Sequence, residues 1–261
     1  MFKIGKSTSG MHLDKETFGI LKNAGFDAVE ISYPPSGYDN INYEELKALS
    51  EEYGIELWSY HLPFSPFDII DISDVNKVDY TVKYASELIS KAAAIGIKKF
   101  TIHPSAEPMT EEERPIRMAC AKEGLSRLAE YAKTLGATIC VECLPRTCLG
   151  RDSSDIIELL SAHPDLRCCF DTNHLLYEDP VDFAYKVGNK IATMHVSDCD
   201  FTNEKHWFPG VGLIRWHDLY KALVEVGYNG VWMYELGFGT YSPDDFIRNA
   251  HEIAEGKPIT V

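Results

Sequence analysis

The amino-acid sequence predicts a single (β/α)8 barrel spanning residues 1–261. Three observations predict it. Eight short apolar runs alternate with helix-periodic segments, in units of roughly 30 residues. The runs are almost continuously apolar, as strands covered on both faces of a parallel sheet must be. A phrase also recurs at the junctions: AGFDAVEI, YGIELWSY, IGIKKFTI, LGATICVE and VGYNGVWM. An open doubly wound sheet is the runner-up, and no GxGxxG or Walker-type loop follows the first run to support it.

The predicted strands are residues 3–7 (KIGKS), 28–32 (AVEIS), 56–61 (ELWSYH), 99–103 (KFTIH), 138–143 (TICVEC), 167–171 (RCCFD), 191–197 (IATMHVS) and 230–236 (GVWMYEL). Between them lie segments with helical spacing, such as residues 78–95 and 117–135. Gly25, Gly54, Gly96, Gly136, Gly188 and Gly227 stand where helices should end. Glycine there accepts the positive φ of a helix C-cap. With 261 residues and 45% hydrophobic content, the chain can bury one large core.

Composition excludes some functions. The net charge is −15 and no Lys/Arg-rich block exists, so neither nucleic acid nor an anionic membrane is an expected partner. The N-terminal MFKIGKSTSG lacks the apolar region of a signal peptide. No run approaches the roughly 18 apolar residues of a membrane span. A cytoplasmic protein is expected, with monomer or homo-oligomer left open. The seven cysteines are expected to be reduced and mostly buried. Cys140 and Cys143 have CxxC spacing, but on a strand residues three apart face opposite sides, so their sulfurs should not converge.

A barrel of this kind carries its active site at the C-terminal ends of its strands. There the predicted strands three to eight end in His61, His103, Glu142, Asp171, His195 and Glu235. Asp, Glu and His together make up about a fifth of the chain, so six in succession exceed chance. Two residues earlier, on the same face, stand Ser59, Thr101, Cys140, Cys169 and Thr193, all small enough for a barrel interior; Met233 is the exception. A ring of carboxylates and imidazoles is costly to bury unpaired, and a divalent cation removes that cost. Glu142, Asp171, His195 and Glu235 form a mixed O/N set suited to Mn²⁺ or Zn²⁺ first, then Mg²⁺ or Co²⁺. His61, His103 and His174 are further candidates for metal or substrate contact. Glu204 and His206 have an acid-x-His spacing, and in an extended loop both side chains would point the same way. Arg146 and Arg151 stand near the mouth, where Arg can clamp a phosphate or carboxylate.

These motifs bear a family resemblance. VEC at Glu142, FDTNH at Asp171 and His174, MHVSD at His195, HWFPGVGLIRW, and YELG at Glu235 resemble those of the xylose-isomerase-like barrels. That superfamily contains sugar and sugar-phosphate isomerases, ketose 3-epimerases and endonuclease IV. The resemblance to the epimerases implies one divalent metal on Glu142, Asp171, His195 and Glu235. It implies that Glu142 and Glu235 exchange a proton with the sugar through an enediolate, with His174 binding substrate; Arg146, from its place near the mouth, is a further substrate-binding candidate. A Lewis acid and a placed carboxylate suit a proton next to a carbonyl. The pattern departs at Cys148, where those epimerases carry a second substrate-binding Glu, and at Pro145, where they carry Asn. The resemblance to endonuclease IV implies instead three zinc ions on His61, His103, Glu142, Asp171, His174, His195, Glu204, His206 and Glu235, with Glu204 in place of Asp. A sugar or sugar-phosphate isomerase/epimerase is therefore the first expectation. A zinc phosphodiesterase is the second, and a sugar-binding barrel without catalysis the third.

Overall fold

The computed structural model describes every residue except Gly10, Ser65, Phe67 and Asp68, with only the backbone of Pro35. It forms the expected barrel. The strands are β1 (Lys3–Ser7), β2 (Ala28–Ile31), β3 (Glu56–His61), β4 (Lys99–Ile102), β5 (Thr138–Glu142), β6 (Arg167–Asp171), β7 (Ile191–His195) and β8 (Val231–Tyr234). The helices that follow them are α1 (Lys15–Ala24), α2 (Tyr43–Tyr53), α3 (Val78–Ala94), α4 (Arg114–Thr134), α5 (Ser153–Leu160), α6 (Pro180–Val187), α7 (Trp216–Glu225) and α8 (Pro243–Ala254). Every strand pairs in parallel with its sequence neighbour from β1 to β7, and β1 also pairs with β8. The ring closes through a single parallel bridge between Val196 and Tyr234. Several strands stop short of the sequence reading. β2 ends at Ile31 and β7 at His195, while His103 and Glu235 each lie one residue past a strand.

Helix ends follow local chemistry. Asp14, Asn42, Asp152 and Asp179 each accept a backbone N–H in the first turn of the helix they precede. Gly25 (φ 104°) closes α1, its N–H donating to the carbonyls of Leu21 and Lys22. Helices dock on the outer sheet face through aromatic and aliphatic contacts. Phe170 of β6 stacks on Phe183 of α6 at 4.7 Å, and truncating such a buried Phe to Ala costs about 3–5 kcal/mol. Among the described residues, no helix is long and apolar enough to cross a membrane.

The barrel interior explains the Met233 exception. Ala28, Val231 and Met233 form their own small cluster, with Trp58 packed on it. Gly5 lies opposite Met233 in the register. A Cβ at Gly5 would come within 2.5 Å of Val231 and 2.8 Å of Met233. One strand thus contributes no side chain so that another can contribute a long one, which fills the barrel without a void. Above this plug the inward positions are small (Ser59, Thr101, Cys140, Cys169 and Thr193, all fully buried). The polar ring sits on top of them.

The long loop after β7 is organised by Asp198. Its buried carboxylate accepts from the backbone N–H groups of Cys199, Gly210, Gly212 and Ile214, and from the indole N–H of Trp216. A Cβ at Gly212 would lie 2.4 Å from an Asp198 oxygen, so this close approach requires glycine.

Candidate metal centre and active site

The four strand-end residues converge. His195 is wholly buried, and its Nδ1 lies 3.0 Å from Glu142 Oε1, 3.1 Å from Glu235 Oε2 and 3.7 Å from Asp171 Oδ2. One donor atom from each of the four residues lies within 4.8 Å of the other three. They arise on β5, β6, β7 and just past β8, so the convergence is a product of barrel closure. Glu142 and Glu235 line a cavity of about 320 Å³ at the mouth.

Without a cation this cluster leaves a buried carboxylate oxygen without a hydrogen bond. Asp171 Oδ1 accepts the Asn173 N–H, but its buried Oδ2 accepts no hydrogen bond: His174 Nδ1 lies 3.3 Å away with its N–H turned to the Cys143 carbonyl. Buried carboxylate oxygens are normally satisfied, and an orphan costs roughly 1–3 kcal/mol or more. Burial opposes ionisation of Glu142, yet the His195 and His103 imidazoles hold its carboxyl well below the usual range. Glu235 is pushed upward by burial, with Asp171 and Glu142 adding to the rise against His195. Burial works against protonation of His195, but Cys169, Glu235, Glu30 and Glu142 around it hold its pKa well above 6.5. An orphaned oxygen, three converging carboxylates and one imidazole nitrogen fit a divalent cation.

The outer histidines gather beside this cluster. His61 Nδ1–H donates to the Leu62 carbonyl at 2.8 Å, turning Nε2 toward Glu142 Oε2 at 3.0 Å; His103 Nε2 meets the same oxygen at 3.1 Å. Burial opposes protonation of His61, but Glu142 lifts it to about 9. His174 Nδ1–H donates to the Cys143 carbonyl, and its Nε2 faces Glu204 at 3.2 Å. His174 is likewise lifted to about 10 against its burial, chiefly by Asp171. His206 completes a group with His174 and Glu204. Glu204 and His206 converge, but not through an extended loop as the sequence reading assumed. His206 has a left-handed backbone, φ 48°, and the Asn173 side chain accepts its N–H and that of Lys205. Cys140 and Cys143, like all seven cysteines, are free thiols. Arg146 reaches the mouth but is already engaged, as its guanidinium pairs with Glu107, Asn203 and Glu204. Arg151 pairs with Glu111 outside the cavity.

Two residues escaped the sequence reading. Glu30 of β2 is fully buried, and its Oε1 lies 2.9 Å from His195 Nε2, an ion pair bent away from ideal hydrogen-bond direction. Its other oxygen accepts from Ser59. Glu30 therefore holds the far side of the ring whose Nδ1 faces the carboxylates, as partners behind metal-binding imidazoles do. A charged residue inside an apolar strand was the available signal. Lys6 is also buried; burial lowers its pKa to about 8, and its ammonium donates to the Ser7 carbonyl.

The profile of the xylose isomerase-like TIM barrel family matches residues 18–254. The chain belongs to that family. Within it, the D-psicose 3-epimerase of Ruminiclostridium cellulolyticum is 27% identical over 223 residues, covering 79% of this chain and 72% of that protein. The ketose 3-epimerase of Arthrobacter globiformis is 25% identical over 227 residues, covering 82% and 74%. Among solved structures, a D-tagatose 3-epimerase-like protein superposes with a TM-score of 0.84 at 23% identity, over 98% of this chain and 99% of that one. This family member is thus similar to ketose 3-epimerases along most of its length.

Proposed function

We propose that this protein is a divalent-metal-dependent sugar isomerase or epimerase that moves a proton at a carbon beside a carbonyl. The observation that carries the reading is the pair Glu142 and Glu235. They come from strands three apart in the ring, face the same buried imidazole nitrogen, and line a cavity of small-molecule size. Similarity to ketose 3-epimerases supports it. Glu142, Asp171, His195 and Glu235 would hold the cation, which when bound acts as a Lewis acid on the substrate's oxygens. One glutamate carboxylate takes the proton from carbon, and the other returns a proton from its own side. Which one acts first depends on which epimer enters. His174, fixed by the Cys143 carbonyl, presents Nε2 to the cavity as a partner for a sugar oxygen.

The test is incubation of metal-loaded protein with ketoses in D₂O. The expected result is deuterium at the carbon next to the carbonyl, together with a second epimer or isomer. Absence of exchange with every ketose offered, free or substituted, would contradict the reading.

One observation favours a second reading. His61 and His174 each donate Nδ1–H to a backbone carbonyl, leaving Nε2 turned inward, and the groups His61/His103/Glu142 and His174/Glu204/His206 each bring three donor atoms together. A three-ion phosphodiesterase would use such groups. It predicts cleavage of DNA at abasic sites, lost in His206→Ala.

A further inference from the structure

A second cavity lobe of about 270 Å³ lies beside the one over the candidate metal centre. The two lobes share Phe64 and His103 on one side and His174 and Glu204 on the other. Either lobe alone is near the small end of ligand sites, which begin at about 300 Å³; together they lie well inside that range. The second lobe has an apolar floor of Ala106, Leu144, Pro145 and Cys148, all buried.

Its rim is braced by paired charges. Arg146 has a left-handed backbone, φ 54°, a conformation that persists in a non-glycine residue only when its surroundings enforce it. Three loops enforce it: Glu107 follows β4, Arg146 follows β5, and Asn203 and Glu204 follow β7. Glu107 also accepts from the backbone and hydroxyl of Thr147. The wall is thus preformed. Its one guanidinium faces two carboxylates, and Arg146 is the only Lys or Arg among the described residues lining either lobe. Gly10, Ser65, Phe67 and Asp68 add no cation. A phosphate placed there would find no unengaged cation, since Arg146 is held by Glu107 and Glu204 and His174 faces Glu204. Phe64, 39% exposed, stacks one face on His103 and adds apolar surface between the two lobes.

We propose that the substrate is a ketose carrying a second, non-anionic group about the size of a sugar ring, and that the second lobe receives this group. The proposal rests on the sugar-epimerase reading and narrows it: a phosphorylated sugar is excluded, and a lone monosaccharide fills half the cleft.

The experiment is a calorimetric titration of the metal-loaded protein with four probes. These are fructose, isomaltulose (a glucosyl-fructose), N-fructosyl-glycine amide (neutral or cationic) and fructose 6-phosphate. At least one of the two extended, non-anionic ketoses should bind about tenfold tighter than fructose, and fructose 6-phosphate should bind more weakly than fructose. Filling the lobe with Ala106→Trp or Cys148→Phe should erase that gain. The ranking in the unmodified protein stands alone if either substitution unfolds the chain. Fructose binding as tightly as both extended ketoses, or fructose 6-phosphate binding tightest, would overturn the proposal. If fructose still exchanges deuterium in that case, the epimerase reading survives it; if no ketose binds or exchanges, both readings fall.

Discussion

Asp171 and Asp198 sit close to the ends of adjacent strands of the same barrel, both without solvent exposure, yet their surroundings are opposite. Asp198 accepts five N–H donors from its loop and from Trp216. Asp171 accepts one, leaves Oδ2 without a hydrogen bond and facing only the His174 and His195 imidazoles at 3.3 and 3.7 Å, and shares its space with Glu142 and Glu235. A buried carboxylate wrapped in backbone donors holds a fold together. One left orphaned among other carboxylates is stable only if something else brings positive charge. Burial alone does not distinguish structure from function here; the count of satisfied oxygens does.

The largest expected effect lies on the reactive side of this contrast. Glu235→Gln keeps the shape of the cup and removes a proton acceptor. Turnover should fall by about 10²- to 10⁴-fold while the thermal midpoint of the metal-free protein stays put. Steady-state rates beside a melting curve check this, and full activity would remove Glu235 from the chemistry.

The comparison itself can be broken by making the same substitution at both aspartates. Asp198→Asn turns an acceptor into an amide that faces N–H donors, and should cost about 3 kcal/mol, or roughly 6–10 °C in a chain of this size. Asp171→Asn should cost the metal-free protein less, because it gives up one backbone N–H and the attraction to the His174 and His195 imidazoles rather than five donors. Calorimetry of both metal-free variants decides it; equal losses would erase the distinction.

A smaller effect tests what stands behind the imidazole. Glu30→Gln should weaken divalent-metal binding by about 10–100-fold with the fold intact, as read by competition with a chromogenic chelator. Unchanged affinity would mean that Glu30 only fills the barrel.

The smallest effect concerns a carboxylate at the rim. Burial opposes the ionisation of Glu107, but Arg146 and Thr147 hold its carboxyl below the usual range. A depressed folded value means that its stabilisation is present above the unfolded pKa near 4.5 and is lost as pH falls through the lower folded value. Because the pair lies at the rim and is partly exposed, the contribution should stay under about 1 kcal/mol. The gap in stability between the parent and Glu107→Gln should therefore close on acidification below about pH 4.5. A gap that widened would reverse the sign.

Much of this was legible in the sequence because barrel architecture converts order along the chain into position. Glu142, Asp171 and His195 end their strands, and Glu235 follows one, so reading the ends of apolar runs found the cluster. Glu30 was missed because it lies inside AVEI, where a strand end was sought one residue beyond Ile31. The role of Asp198 was hidden because its donors lie at residues 199–216 and meet only when the loop folds back. Arg146 read as a free clamp, since its partners Glu107 and Glu204 stand far from it in sequence. The left-handed turn at His206 leaves no mark in residue type.

The central claim is that the strand-end cluster holds a catalytic cation, and counting metal tests it most directly. Elemental analysis of protein purified without chelators should give one divalent ion per chain, lost in Glu142→Gln and retained in His206→Ala. No bound ion, or two to three ions of which His206→Ala loses one, would contradict the account; the second result would make the phosphodiesterase reading the one to pursue.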